Sequence, residues 1–254
     1  MRPQQQGTPA FRDEPGSGRP GPDTWLWMDI PSMEYHDAWD LQGKLVRAMV
    51  DGIVERNVVL LLEHTPVFTL GRRGGLEHLT VSQGLLEERN IRVVQVERGG
   101  SITYHAPGQL VGYPVVDLNR ARLGVLDFVT ALEEVMIRVS KELGVLSERN
   151  PVNRGVWVGS RKLGSVGLAI RHGISFHGFA LNVNLSLEPF TWVQPCGLRG
   201  VEATSLQQEL GRAISMADAR RSACSHMAAV FGIRLEPVGM EQVLRRLDKQ
   251  TIEG

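Results

Sequence analysis

The chain has 254 residues, 42% hydrophobic and 22% charged, a composition that supplies a sizeable apolar core and excludes wholesale disorder. Lys plus Arg number 28 and Asp plus Glu 28, so no net field draws the chain to nucleic acid or to an anionic membrane. The longest apolar runs, such as Val58–Leu62, fall far short of the roughly 20 residues that span a bilayer, so no membrane helix is expected.

Residues 1–22 are rich in Pro, Gln and Gly and hold no apolar stretch of the kind a secretory signal needs. They predict a disordered N-terminal extension on a cytoplasmic protein. From residue 23 to 254 no repeat and no linker-like shift in composition appears, so a single domain is expected. The two cysteines, Cys196 and Cys224, make no disulfide framework and are expected as thiols.

In chain order, the segment Pro31–Arg56 predicts a first helix, with Ser32 as N-cap and Ala38, Leu41, Leu45, Met49 and Ile53 at spacings of three and four. A second helix begins after Gly124, with Leu126, Val129, Leu132, Met136, Val139 and Leu143 on one face and Gly144 at its end. A third runs Ser215–Phe231, opened by Ser215 and Asp218 and stopped by Gly232. Between them lie β-rich runs punctuated by Gly and Pro: Val58–Leu62, Val67–Gly71, Val93–Arg98, Leu110–Asp117, Gly155–Val158, Leu163–Ile170 and Ser175–Leu185. The class is α/β or α+β, a mixed β-sheet flanked by helices.

Gly16–Gly21 matches a dinucleotide fingerprint in letters only, because the strand and helix that would place a pyrophosphate are missing from its surroundings. No Walker lysine, HExxH, CxxC or GxSxG pattern occurs, and the seven histidines show no metal-ligand spacing, so no cofactor is expected. Three segments carry chemistry. In Glu97–Gln109, glycines after a strand let a ligand approach the backbone, Arg98 can hold an anion and His105 both donates and accepts; a Gly-rich turn between strands also fits. In Gly159–Gly167, Lys162 stands among small residues, as a ligand-facing lysine or as an ordinary hairpin lysine. In Gln194–Gly197, Pro and Gly hold Cys196 in a loop, a nucleophile's setting, although free cysteines are commonly buried and inert. Cys224 lies within the third helix and reads as core packing, and His177, like the remaining histidines, as hydrogen-bonded structure.

These segments, taken in order, resemble the octanoyltransferases of protein lipoylation, also called lipoyl(octanoyl) transferases. The residues that carry the resemblance are Thr65–Arg72, Arg98–His105, Lys162–Gly167, His177–Val183 and Pro195–Gly197, over about Trp25 to Ile233. The resemblance implies the fold of the biotin and lipoate protein ligase catalytic domain. It implies a catalytic pair, Cys196 and Lys162. It also implies substrate contacts at Arg98, Gly99, Gly100, Ser101, Ile102, Thr103, Tyr104 and His105, at Ser165, Val166 and Gly167, and at Gly178, Phe179 and Ala180. The implied reaction passes octanoyl from the phosphopantetheine thiol of acyl carrier protein to the enzyme cysteine. From there it goes to a lysine of a lipoyl domain, in 2-oxoacid dehydrogenase complexes or the glycine cleavage H protein. Ala106 replaces the glycine usual after the motif histidine, and Gly164-Ser165 replaces the alanines common after the lysine, which bears on pocket width.

These residue types suit the chemistry. Thioester exchange with a thiol is nearly isoenergetic and needs no ATP, but the thiol must attack as thiolate, and a free thiol of pKa about 8.5 is only a few per cent ionised at pH 7. A neighbouring ammonium favours the thiolate. Once the sulfur is acylated its charge is gone, and a desolvated lysine then becomes a base for the acceptor amine. Backbone N–H groups near Cys196 and Lys162 are candidates for holding the tetrahedral oxyanion. Two other functions compete: an ATP-dependent lipoate ligase, which needs no nucleophilic cysteine, and a non-catalytic module that binds acyl carriers or lipoyl domains, which needs neither reactive residue.

Overall fold

The computed structural model describes residues 23–194 and 201–248; the tail of residues 1–22 and the Pro195–Gly197 motif with Cys196 lie outside the described residues. The chain opens with β1 (Thr24–Met33), α1 (Tyr35–Val50), β2 (Val58–His64) and β3 (Val67–Leu70). There follow α2 (Gln83–Glu88), β4 (Arg92–Gln95), β5 (Ile102–His105), β6 (Gln109–Val115) and α3 (Val125–Glu142). The second half holds β7 (Glu148–Arg149), β8 (Val156–Val158), β9 (Arg161–Arg171), β10 (Ile174–Asn182), α4 (Leu206–Leu210), α5 (Met216–Phe231), β11 (Arg234–Pro237) and α6 (Met240–Asp248).

Eight strands form one mixed sheet in the order β11-β1-β2-β6-β10-β9-β8-β7, in which β1 runs parallel to β11 and β2 and the remaining pairs are antiparallel. A smaller sheet, β4-β3-β5, stands beside it. The run Val58–Leu62 is continuously apolar because β2 is covered on both faces. Val59 and Leu61 pack toward α3 and α5, while Val58, Leu60 and Leu62 pack toward α1. Helices thus cover both faces of the large sheet, as the fold class required. The small sheet closes over its own core of Phe68, Leu70, Leu86, Tyr104 and Trp192.

Several local expectations change. Ser32 is not the first helix's N-cap: β1 continues to Met33, and Glu34 caps α1 by accepting from His36 N. That helix stops at Val50 and not Arg56, where Asp51 caps it and Gly52 turns with φ 73°; Ile53 lies past its end. In α3 the buried stripe is Phe128, Leu132, Val135, Met136 and Val139, and Leu126 is exposed. The third helix keeps its expected bounds, with Ser215 accepting from Asp218 N and Gly232 at φ 64°. Strands β1, β5 and β11 carry no alternation that separates them from their surroundings, and only pairing across the sheets defines them.

Candidate active site

The adjacency of β9 and β10 builds the site. Their antiparallel register pairs Ala180 with Ser165, Phe179 with Val166 and Gly178 with Gly167, so two sequence-distant motifs become one surface. The Arg98–Ser101 loop docks onto it through Gly99 N, which donates to Leu168 O at 2.8 Å. Gly100 turns that loop with φ 92°, a conformation that side chains rarely adopt. The resulting cavity, of about 480 Å³, is lined by the loop, by Lys162 and Ser165–Leu168 of β9, and by His177–Ala180 and Asn182 of β10.

Every substrate contact expected from sequence lines this cavity except Tyr104. Alternation along β5 turns the Tyr104 ring the other way, against Phe68 at 5.0 Å and Phe190 at 5.8 Å, inside the small sheet's core. Arg98 is also placed differently from the expectation of an anion-holding side chain. It is 7% exposed, and its guanidinium donates to Thr69 Oγ1, to Thr69 O and to Gly99 O, clamping the loop onto β3. Burial lowers its pKa, but a guanidinium stays charged across the physiological range.

Hydrogen bonding fixes the histidine tautomers. Gln109 Nε2 donates to Tyr104 O and Asn182 Oδ1, so its Oε1 accepts from His105 Nδ1 at 2.7 Å and leaves His105 Nε2 as an acceptor. His64 Nδ1 donates to Met33 O, and its Nε2 accepts from Tyr113 O–H at 2.7 Å. Burial drives His105 well below its ordinary pKa and His64 down to about 4, so both rings are neutral at pH 7. His177, expected as hydrogen-bonded structure, has φ 56° and lines the cavity; its Nε2 stands 4.0 Å from Glu97 Oε2, beyond hydrogen-bond distance.

Lys162 sits near the start of β9. Its N–H donates to Glu202 O at 2.8 Å, which removes that amide from the candidate oxyanion donors, and its carbonyl accepts from Thr204 N. The ammonium lies 5.2 Å from the centre of the Trp157 ring. Burial pulls its pKa down to about 8, against the opposing effect of Glu133. Cys196 lies outside the described residues; Val193 and Val201, on either side of it in sequence, both line the cavity. Cys224 belongs to the margin of the core on α5, and burial raises its thiol to about 12. Sequence reasoning missed Tyr35, Tyr113, Asn182 and Glu133, whose roles depend on what lies opposite them. Among the described residues no group of His, Cys, Asp and Glu is arranged to hold a metal, and no helix is long and apolar enough to cross a membrane.

Residues 34–228 match the family model of the lipoyl protein ligase A/B catalytic domain. Curated relatives include a protein named octanoyltransferase from Desulfotalea psychrophila, 47% identical over 81% of this chain and 93% of its own length. Another of that name, from Syntrophobacter fumaroxidans, is 43% identical over 80% of this chain and 89% of its length. Among solved structures, a lipoate-protein ligase A bound with ATP superposes with a TM-score of 0.67 at 14% identity, over 90% of this chain and 95% of that one. A bipartite lipoate protein ligase from Thermoplasma acidophilum gives 0.66 at 15%, over 90% and 92%. At such identities the structural likeness speaks for the fold alone.

Proposed function

The chain belongs to the lipoyl protein ligase A/B catalytic-domain family, and from that premise we propose that it transfers an octanoyl group to lipoyl domains, using Cys196 and Lys162. The donor in this reading is octanoyl acyl carrier protein. The acceptors are lipoyl domains of 2-oxoacid dehydrogenase complexes and the glycine cleavage H protein. The observation that carries the reading is Lys162, a partly buried amine on the wall of an acyl-sized cavity, with a pKa drawn to about 8.

The Cys196 thiolate attacks the donor thioester carbon, the donor C–S bond breaks, and the departing thiolate takes a proton from the Lys162 ammonium. The acyl group now rests on sulfur and Lys162 is neutral. An acceptor lysine of pKa about 10.4 is unprotonated in only roughly one molecule in 2,500 at pH 7, so the attacking amine is scarce and its released proton needs a base. As the neutral acceptor amine attacks the acyl carbon, Lys162 takes that proton and the Cys196 sulfur leaves as thiolate. Enzyme and charge return to their starting state, and an amide has replaced a thioester. A lysine with pKa near 8 suits both directions of transfer, which an ordinary surface lysine does not.

The test is intact mass measurement after mixing the protein with octanoyl acyl carrier protein in the absence of ATP. The expected result is one octanoyl adduct that maps to Cys196 and is discharged by an added lipoyl domain. No adduct without ATP, with acyl-adenylate formed when ATP and octanoate are supplied, would instead make the chain a ligase.

A further inference from the structure

Glu133 occupies a core-facing position of α3 and is 1% exposed, among Phe128, Leu132, Val135 and Met136. A carboxylate so placed is costly unless it is held by donors. The donors all come from one side. Gly155 N donates to Oε1 at 2.8 Å, Arg154 Nη1 to Oε2 at 3.2 Å, and Arg149 Nε lies 3.5 Å from Oε2. Both arginines reach in from partly exposed positions, and Arg154 lines the cavity.

The segment so held is in contact with Lys162. Gly155 has φ 122°, and a Cβ placed on it would stand 3.0 Å from Lys162 Cε and 2.3 Å from Gly164 O. Its backbone therefore lies directly against the lysine stem. The same turn is tied to the ring beneath the ammonium, since Trp157 Nε1 donates to Asn153 O at 3.1 Å. Asn150 Oδ1 accepts from Val152 N and Asn153 N, which keeps the turn compact.

We propose that Glu133 is a positioning residue for Lys162: its buried carboxylate holds the Arg154–Gly155 turn against the lysine stem and fixes the amine at the cavity wall. The inference rests on the role given to Lys162 above. Among the described residues the charges around the lysine are few. Glu133 faces it from α3 and Arg154 lies in the turn. Arg161, its neighbour on β9, is bound to Glu209, and Arg98, His105 and His177 line the same cavity farther along β9 and β10. Of these, Glu133 is the group that favours the ammonium, so loss of its charge frees the neutral amine at lower pH.

The test is pH-dependent labelling of Lys162 by an amine-reactive reagent, read by peptide mass, in the wild-type chain, Glu133→Gln and Glu133→Ala, with single-turnover octanoyl transfer alongside. Labelling needs no substrate, so it reports on Glu133 even if the wild-type chain fails to transfer octanoyl, which would count against the proposed function alone. Glu133→Gln keeps an acceptor for Gly155 N–H and removes the charge. Its labelling midpoint is expected to fall by about half a unit or more, and its transfer optimum to move down in pH. Glu133→Ala, which loses the acceptor too, is expected to transfer roughly tenfold more slowly than Glu133→Gln, one turn of chain having lost its anchor. An unchanged Lys162 midpoint in folded Glu133→Gln, or equal transfer rates in both variants, would overturn the proposal. So would a Glu133→Gln chain that does not fold, since the carboxylate would then hold the domain and not the lysine.

Discussion

The guanidinium of Arg98 grips Thr69 three times: Nε and Nη2 donate to its Oγ1 at 3.2 and 2.8 Å, and Nη2 to its carbonyl at 2.7 Å. A fourth bond, from Nη1 to Gly99 O, completes a fork that joins the glycine loop to β3. Lysine has the charge but not the planar fork. Arg98→Lys is therefore expected to lower stability by about 2 kcal/mol, as a buried cation loses most of its acceptors. Urea unfolding measures this; a loss below a few tenths of a kcal/mol would show that the clamp is dispensable.

The two glycines after Arg98 should respond differently to valine. Gly99 has ordinary dihedrals, and among the described residues a Cβ there meets only Leu168 O, at 3.5 Å. Gly99→Val is expected to fold with an unchanged melting temperature and to slow acylation about a hundredfold, because its branched side chain fills the cavity where substrate approaches. Gly100, at φ 92°, cannot take valine without strain of about 1–3 kcal/mol, so Gly100→Val is expected to melt several degrees lower. Thermal unfolding alongside acylation kinetics separates the two; identical behaviour would contradict the loop geometry.

Replacing Lys162 with methionine should abolish transfer and yet stabilise the fold. Folding lowers this ammonium's pKa from 10.5 to about 8, so between those values the unfolded chain binds more protons and stability rises with pH. Below about pH 8 the full cost of burying the ammonium is present. Lys162→Met is then expected to exceed wild type by about 3 kcal/mol at pH 7, with the advantage vanishing near pH 10.5. Denaturant midpoints across that range provide the check; a pH-independent difference would assign the effect to packing alone.

The two cysteines should separate by reactivity. Burial, with a contribution from Asp29, raises the Cys224 thiol to about 12, so almost none of it is thiolate at pH 8. Alkylation at that pH, read by peptide mass, is expected to modify Cys196 first and to abolish transfer, while Cys224→Ser transfers at the wild-type rate. Faster labelling of Cys224 would reverse the assignment.

The elements with strong periodicity were legible in the chain itself. The helices α1, α3 and α5, the caps at Ser215 and Gly232 and the strand at Val58–Leu62 follow from local spacing and local turn chemistry, although α3 turns Leu126 out to solvent and buries Phe128 and Val135 instead. The segments that line the cavity stood out in the chain too, Arg98–His105 and Lys162–Gly167 as glycine-rich stretches open to more than one reading and Gly178–Ala180 through the family resemblance. What only the tertiary structure decided is which way each side chain points and what stands opposite it. Strand β5 carries both His105 and Tyr104, but pairing with β3 sends one ring to the cavity and the other to the small sheet's core. Arg98 reads as an anion-binding residue until Thr69 is seen against it, and nothing in the sequence singles out Glu133 until the turn before β8 is seen against it. The physical reason is range. Propensity and periodicity act over a few residues, whereas burial of Arg98 and Glu133 depends on partners 29 and 22 residues away, brought together only when loops close and strands pair.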